Sequence, residues 1–195
     1  MADLITPTTK LEAVNAMLEA IGEAPVSTLQ NPGLADAAVA LQTLKNVSRR
    51  AQTVGWSWNT DECWAFTPDI NGNVFVPANT LRADTSGPSG GIDVVLRGNQ
   101  LYDRGKHTYT FTVGKITLDI VQALDFEQLP EAARQYVYLS AGCDFVEGVL
   151  GAETLSTFTR TAEKKSWALL LSSEGEDADY NILSGSYAVA RVLNR

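Results

Sequence analysis

The sequence predicts an α+β fold: a helical bundle formed by both ends of the chain, with an inserted β-rich block between them. Two observations predict it. Apolar residues recur at helical spacing before Gly55 and again after Leu129. Between those points the chain turns to short runs of β-branched and aromatic residues punctuated by Gly, Pro, Asn and Asp. The expected organisation is a discontinuous bundle over residues 1–55 and 128–181, a β-rich insertion over 56–127, and a C-terminal tail over 182–195.

The first helix opens on Thr9 and Glu12, whose spacing lets hydroxyl and carboxylate each satisfy an orphan amide. Leu11, Val14, Met17, Leu18 and Ile21 share one face, and Gly22 is the left-handed stop. Asn31-Pro32-Gly33 is a turn. A longer helix is expected from about Leu34 to Val54, with Leu34, Ala37, Leu41, Leu44, Ser48 and Ala51 as its seam. Ala40, Val47 and Val54 widen that stripe beyond one partner's needs, while Gln42, Asn46, Arg49 and Thr53 fall on the far side.

In the β block, Trp56 and Trp58 alternate as strand residues do, followed by Trp64 and Phe66. Val74–Val76, Ile92–Leu96, Tyr109–Val113 and Ile116–Ile120 are further expected strands, with Arg97-Gly98-Asn99 a hairpin turn into Leu101–Asp103. Asp84–Gly91 is expected to be a flexible loop. Pro130 and Glu131 then open a helix that runs, apolar on most sides, to Leu150, where Gly151 breaks it. The last helix is expected from Ala152 to about Glu174, with Leu155, Phe158, Ala162, Ser166 and Leu169 in its seam.

Fifteen basic residues against twenty-three acidic ones leave a formal charge of −8 over 195 residues. Gripping nucleic acid needs clustered Lys and Arg, so this balance argues against it. No apolar run approaches the ~18 residues of a membrane span, which leads to the expectation of a soluble chain made in a cytoplasm. Two cysteines eighty positions apart and one histidine exclude a Cys/His zinc site and a disulfide framework.

Catalytic signatures are sparse. His107 reads as an exposed loop histidine, and Cys63 and Cys143 as buried small hydrophobes. Asp61/Glu62, Asp125/Glu127 and the run Glu174, Glu176, Asp177, Asp179 are the carboxylates that a glycan hydrolase could use as an acid/base pair, the alternative to a structural role. Arg49/Arg50 and Lys164/Lys165 read as ordinary surface. No cofactor or metal site is expected.

Several segments carry a family resemblance. Ala13-Val14-Asn15, Ile21-Gly22-Glu23-Ala24-Pro25-Val26-Ser27-Thr28-Leu29, Ala35-Asp36-Ala37-Ala38 and Gly55-Trp56-Ser57-Trp58-Asn59 come first. Leu101-Tyr102-Asp103-Arg104, Leu129-Pro130-Glu131 and Tyr180-Asn181-Ile182-Leu183 follow in the same order. Together they resemble the tail tubular protein A family of short-tailed bacteriophages. The resemblance implies no catalytic residues. It implies a head–tail adaptor, or gatekeeper: a dodecameric ring under the portal that receives the nozzle protein (tail tubular protein B) below and helps seat tail fibres. Genomic DNA would pass through the lumen without specific binding, and the protein would reside in the virion tail after assembly in the host cytoplasm. Such a ring needs a heterologous contact, for which the outer faces of the 34–54 and 152–171 helices are the expected source. Tyr187, Val189, Val192 and Leu193 are the expected partner-binding residues, because apolar groups on a terminal tail commonly mark a docking segment.

Overall fold

The computed structural model describes residues 6–30, 33–150 and 158–177. Among the described residues, four helices and five strands make an α+β fold: α1 (Lys10–Ala20), α2 (Ala35–Gln52), β1 (Thr60–Phe66), β2 (Thr80–Thr85), β3 (Val94–Arg97), β4 (Gln100–Asp103), β5 (Ile116–Gln122), α3 (Glu131–Leu150) and α4 (Arg160–Asp177). The helices share one hydrophobic cluster, to which Trp56, Phe126 and Leu129 also belong. A second cluster lies in the β region around Val74, Leu101, Phe111, Ile116, Leu118 and Ile120.

Local chemistry sets the helix ends. Thr9 and Glu12 form the expected reciprocal cap, and Gly22 leaves α1 at φ +84°. Val14, Met17 and Leu18 are buried from that face. On α2 the seam residues Ala37, Leu44, Ser48 and Ala51 are buried, while Val54 is exposed beyond the helix end. α3 lies between α2 and α4, and both pack on it. Its small residues permit close approach. A β-carbon added at Gly142 would meet the Phe158 ring at 1.9 Å. Of the last expected seam, Phe158 and Ser166 are buried, but Leu170 is buried in place of Leu169, which is exposed, so the seam departs only at its final residue. α4 begins at Arg160; residues 152–157 of the expected helix, Leu155 among them, lie outside the described residues.

The sheet corrects several strand expectations. β5 is central, in the order β1-β5-β2, and antiparallel to both neighbours. Its alternating Ile116, Leu118 and Ile120 all point into the core. Trp56 precedes, and Trp58 lies within, the 3₁₀ turn Ser57–Asn59 rather than a strand, because the Asn59 side chain accepts from the Trp56 amide at 2.7 Å and curls the backbone. Val74–Val76 contributes one isolated bridge, and Tyr109–Val113 no strand. The 84–91 segment is only partly loop: Asp84 and Thr85 end β2, and Gly87–Ser89 form a 3₁₀ turn. β3 and β4 form the expected hairpin around Gly98, at φ +65°.

Candidate interaction surfaces

The helical and β clusters meet through a buried polar clamp. The Gln52 amide donates to Ser48 Oγ at 2.9 Å and to the Leu124 carbonyl at 3.0 Å, and its oxygen accepts from the Leu124 amide at 2.7 Å. Asn59 Nδ2 donates to the Gln52 and Gln122 carbonyls at 3.0 and 2.8 Å. These bonds tie the end of α2 to the exit of β5 in a setting where an unpaired amide would be costly. Beside them Trp56 is buried, donating its indole N–H to the Ala51 carbonyl at 2.8 Å. Its ring stacks with Trp58 at 6.2 Å and meets Trp167 edge-on at 5.4 Å, so α4 is anchored at the same junction. The Glu174 carboxylate accepts from the Ser57 backbone amide and hydroxyl and closes that corner.

A second clamp fixes α4 on α3. Arg160 reaches Glu147 at 2.6 Å, Glu163 at 2.9 Å and Asp144 at 3.2 Å, and Asp144 also takes Arg50 from α2 at 3.0 Å. Hydrogen bonds to Glu147 and Glu163 raise the Arg160 pKa, so the guanidinium stays charged. The arrangement joins three helices through two guanidinium groups and three carboxylates, chemistry suited to holding rather than turnover.

The candidate catalytic groups are dispersed or already engaged. His107 is exposed on the loop after β4, with φ +55°. Cys63, expected to be buried, is exposed. β1 bulges between Asp61 and Trp64, and the Cys63 amide bonds the Asp119 carboxylate at 2.7 Å, turning the thiol out at φ +54°. Cys143 is buried, and that burial pushes its thiol up to about 11, too high for a thiolate nucleophile at neutral pH. Asp61 accepts from the Gln122 amide, and Glu62 is exposed beside it. Asp125 and Glu127 both pair with Lys10, at 3.5 and 3.1 Å. Of the remaining acidic run, Glu174 serves the Ser57 corner, Glu176 is exposed, and Asp179 lies outside the described residues. Among the described residues no group of His, Cys, Asp and Glu could hold a metal ion, and no helix is long and apolar enough to cross a membrane.

What the surface does offer is apolar area on the outer helices and the sheet edge. Val39 on α2 and Leu169 and Leu171 on α4 are exposed, Leu169 at 68%. Trp64 and Phe66 lie together on edge strand β1, ring centroids 5.1 Å apart, with Trp64 exposed. Sequence periodicity places Val39 outside the α2 seam, but nothing in it singles out Leu169, which falls at seam spacing. Tyr187, Val189, Val192 and Leu193, the expected partner-binding residues, lie outside the described residues.

Comparison with known proteins bears on what such surfaces are for. Residues 11–180 match the family model described as tail tubular protein. The chain is also 31% identical over 157 residues to a protein named tail tubular protein A from Klebsiella phage KP34, covering 80% of this chain and 81% of that one.

Proposed function

Since the chain belongs to the tail tubular protein family and is thus a structural component of a phage tail, we propose that it forms an adaptor ring between the portal and the tail nozzle. In this reading the ring is a homododecamer. The portal protein sits above it, the nozzle protein (tail tubular protein B) below, and tail fibres seat on its rim. Genomic DNA passes through the lumen during ejection. The family match over 11–180 is the observation that carries the reading. The role is mechanical, and Asp125, Glu127 and Glu174, three of the carboxylates that a hydrolase could use, are engaged in helix and corner contacts instead.

Three features support the ring. The outer faces of α2 and α4 expose apolar residues on either side of α3, as a head-to-tail contact requires. A charge of −8 per subunit disfavours phosphate adhesion in a channel meant for passage. The two clamps hold the helices and the sheet as one lever arm, which suits a ring under load. In the proposed division of labour, residues 1–55 with 128–181 build the ring wall and 56–127 form an insertion on it. The tail over 182–195 docks on a neighbour or on the portal through Tyr187, Val189, Val192 and Leu193. Mixing the full chain with its portal and measuring mass by light scattering tests the reading: a discrete species of many copies is expected, and an unchanged monomer would overturn it.

A further inference from the structure

Two patches on the helical cluster complement each other. Along the outer stripe of α2, Ala35, Ala38 and Val39 are exposed, and Lys45 and Arg49 follow on the same side. Offsets of three, four and seven keep these side chains together. Lys10, Arg50 and Arg160 each have a carboxylate partner, but among the described residues neither Lys45 nor Arg49 makes an ion pair. Both line an open groove of about 460 Å³ beside Leu124 and Phe126.

The second patch is a groove of about 350 Å³ between α3 and α4, lined by Ala132, Leu169 and Ser172 and edged by Glu131 and Glu176. Glu131 is engaged by Thr8 and Gln135. Glu176 is exposed and makes no ion pair among the described residues. The two patches thus carry opposite unpaired charge beside apolar surface.

Their placement suits a cyclic contact. Both border the layer where residues 8–10 meet residues 127–131: Lys10 lines the first groove and Glu131 edges the second. The Lys10 amide bonds Glu127 at 3.3 Å and the Thr8 amide bonds Glu131 at 2.9 Å within that layer. α3 separates the two patches, since α2 and α4 each pack on it. Two different patches at one level on opposite flanks of a subunit are what closed head-to-tail rings require.

We propose that the α2 stripe of one copy seats on the α3–α4 groove of the next, placing Lys45 and Arg49 against Glu176 with Val39 and Leu169 in the apolar part of the contact. The occupant of the groove is a second copy of this chain, so the inference rests on the ring reading and names its interface. Burial of the aliphatic residues supplies attraction, while the charges fix register and speed encounter. The contact weakens as salt is raised.

Sedimentation of the full chain, alone over a concentration series and with its portal, tests this. Lys45→Glu/Arg49→Glu and, separately, Glu176→Arg should raise the concentration for half-assembly at least about tenfold. The chain carrying all three changes should recover most of the loss, because the charges are exchanged. All three positions are exposed, so melting temperatures should be unchanged. In a Cys63→Ser background, Arg49→Cys with Glu176→Cys should give a covalent ladder on oxidation. If wild type assembles and the reversals assemble equally well, or no ladder forms, the interface lies elsewhere and the inference fails while the ring stands. A wild type that never assembles would overturn the ring and the inference with it.

Discussion

Phe158 packs so closely over Gly142 that a β-carbon at that position would lie 1.9 Å from its ring. The ring also meets Tyr138 edge-on at 5.1 Å, so a residue preceding α4 is seated directly on the backbone of α3. Gly142 sits in the middle of a helix, where glycine normally costs stability relative to alanine. Here the sign reverses. Gly142→Ala should destabilise by about 1–3 kcal/mol or more through overpacking. Urea denaturation measures it, and a gain in stability would show that Phe158 can move aside.

Trp56 is the keystone of the helix–sheet junction, buried and bonded through its indole to Ala51. Trp56→Ala should cost roughly 3–5 kcal/mol, seen as a melting temperature many degrees lower. Trp56→Phe keeps most of the packing against Trp167 but orphans the Ala51 carbonyl, and its loss should be clearly smaller. Equal losses would mean that the hydrogen bond, not the ring, holds the junction.

Much of the fold was legible in residues with short-range consequences. Thr9, Glu12 and Gly22 set the ends of α1 by contacts within a few positions, and the alternation of Ile116, Leu118 and Ile120 marks β5 because one face is buried. What was not legible depended on distant partners. Tyr109, Phe111 and Val113 alternate like a strand, yet the Phe111 amide bonds the Gly72 carbonyl and the segment joins no ladder. β2 was hidden because Thr80, Arg82 and Asp84 are edge-strand residues with little apolar signal. Cys63 turns outward through a bulge that Asp119 stabilises from the neighbouring strand, which no local pattern records. The interaction surface divides the same way: Arg49 was visible as a polar-face residue, but the groove edged by Glu176 exists only once α3 and α4 are packed.

Removing the charge at the centre of the α3–α4 clamp should have a salt-dependent effect. Arg160→Met leaves Asp144, Glu147 and Glu163 facing one another without their shared cation. The expected loss at low salt is about 1–3 kcal/mol. It should narrow as salt is raised, because screening weakens the repulsion among the three carboxylates. A deficit that does not change with salt would assign the effect to lost packing of the Arg160 stem.

The wild type should itself lose stability in acid. The Thr9 backbone amide holds Glu12 below the usual 4.5. Burial works against Glu127 and Glu131, yet the hydrogen bond from Lys10 lowers the first and those from Gln135 and Thr8 lower the second. For each, the unfolded chain binds protons that the folded chain does not, so the stabilisation is present above the usual 4.5 and drains away as pH falls through the lower folded values. Thermal melts between about pH 6 and 3 should show this, and Glu131→Gln should flatten the slope. An unaltered slope would mean that Glu131 contributes nothing to it.

The central claim, that this tail protein works as a ring, is tested most directly by electron microscopy of the purified full chain mixed with its portal. The account predicts end-on class averages with closed cyclic symmetry and an open lumen, formed from a single layer of subunits. Isolated particles of subunit size, or an open filament in place of a closed ring, would contradict it.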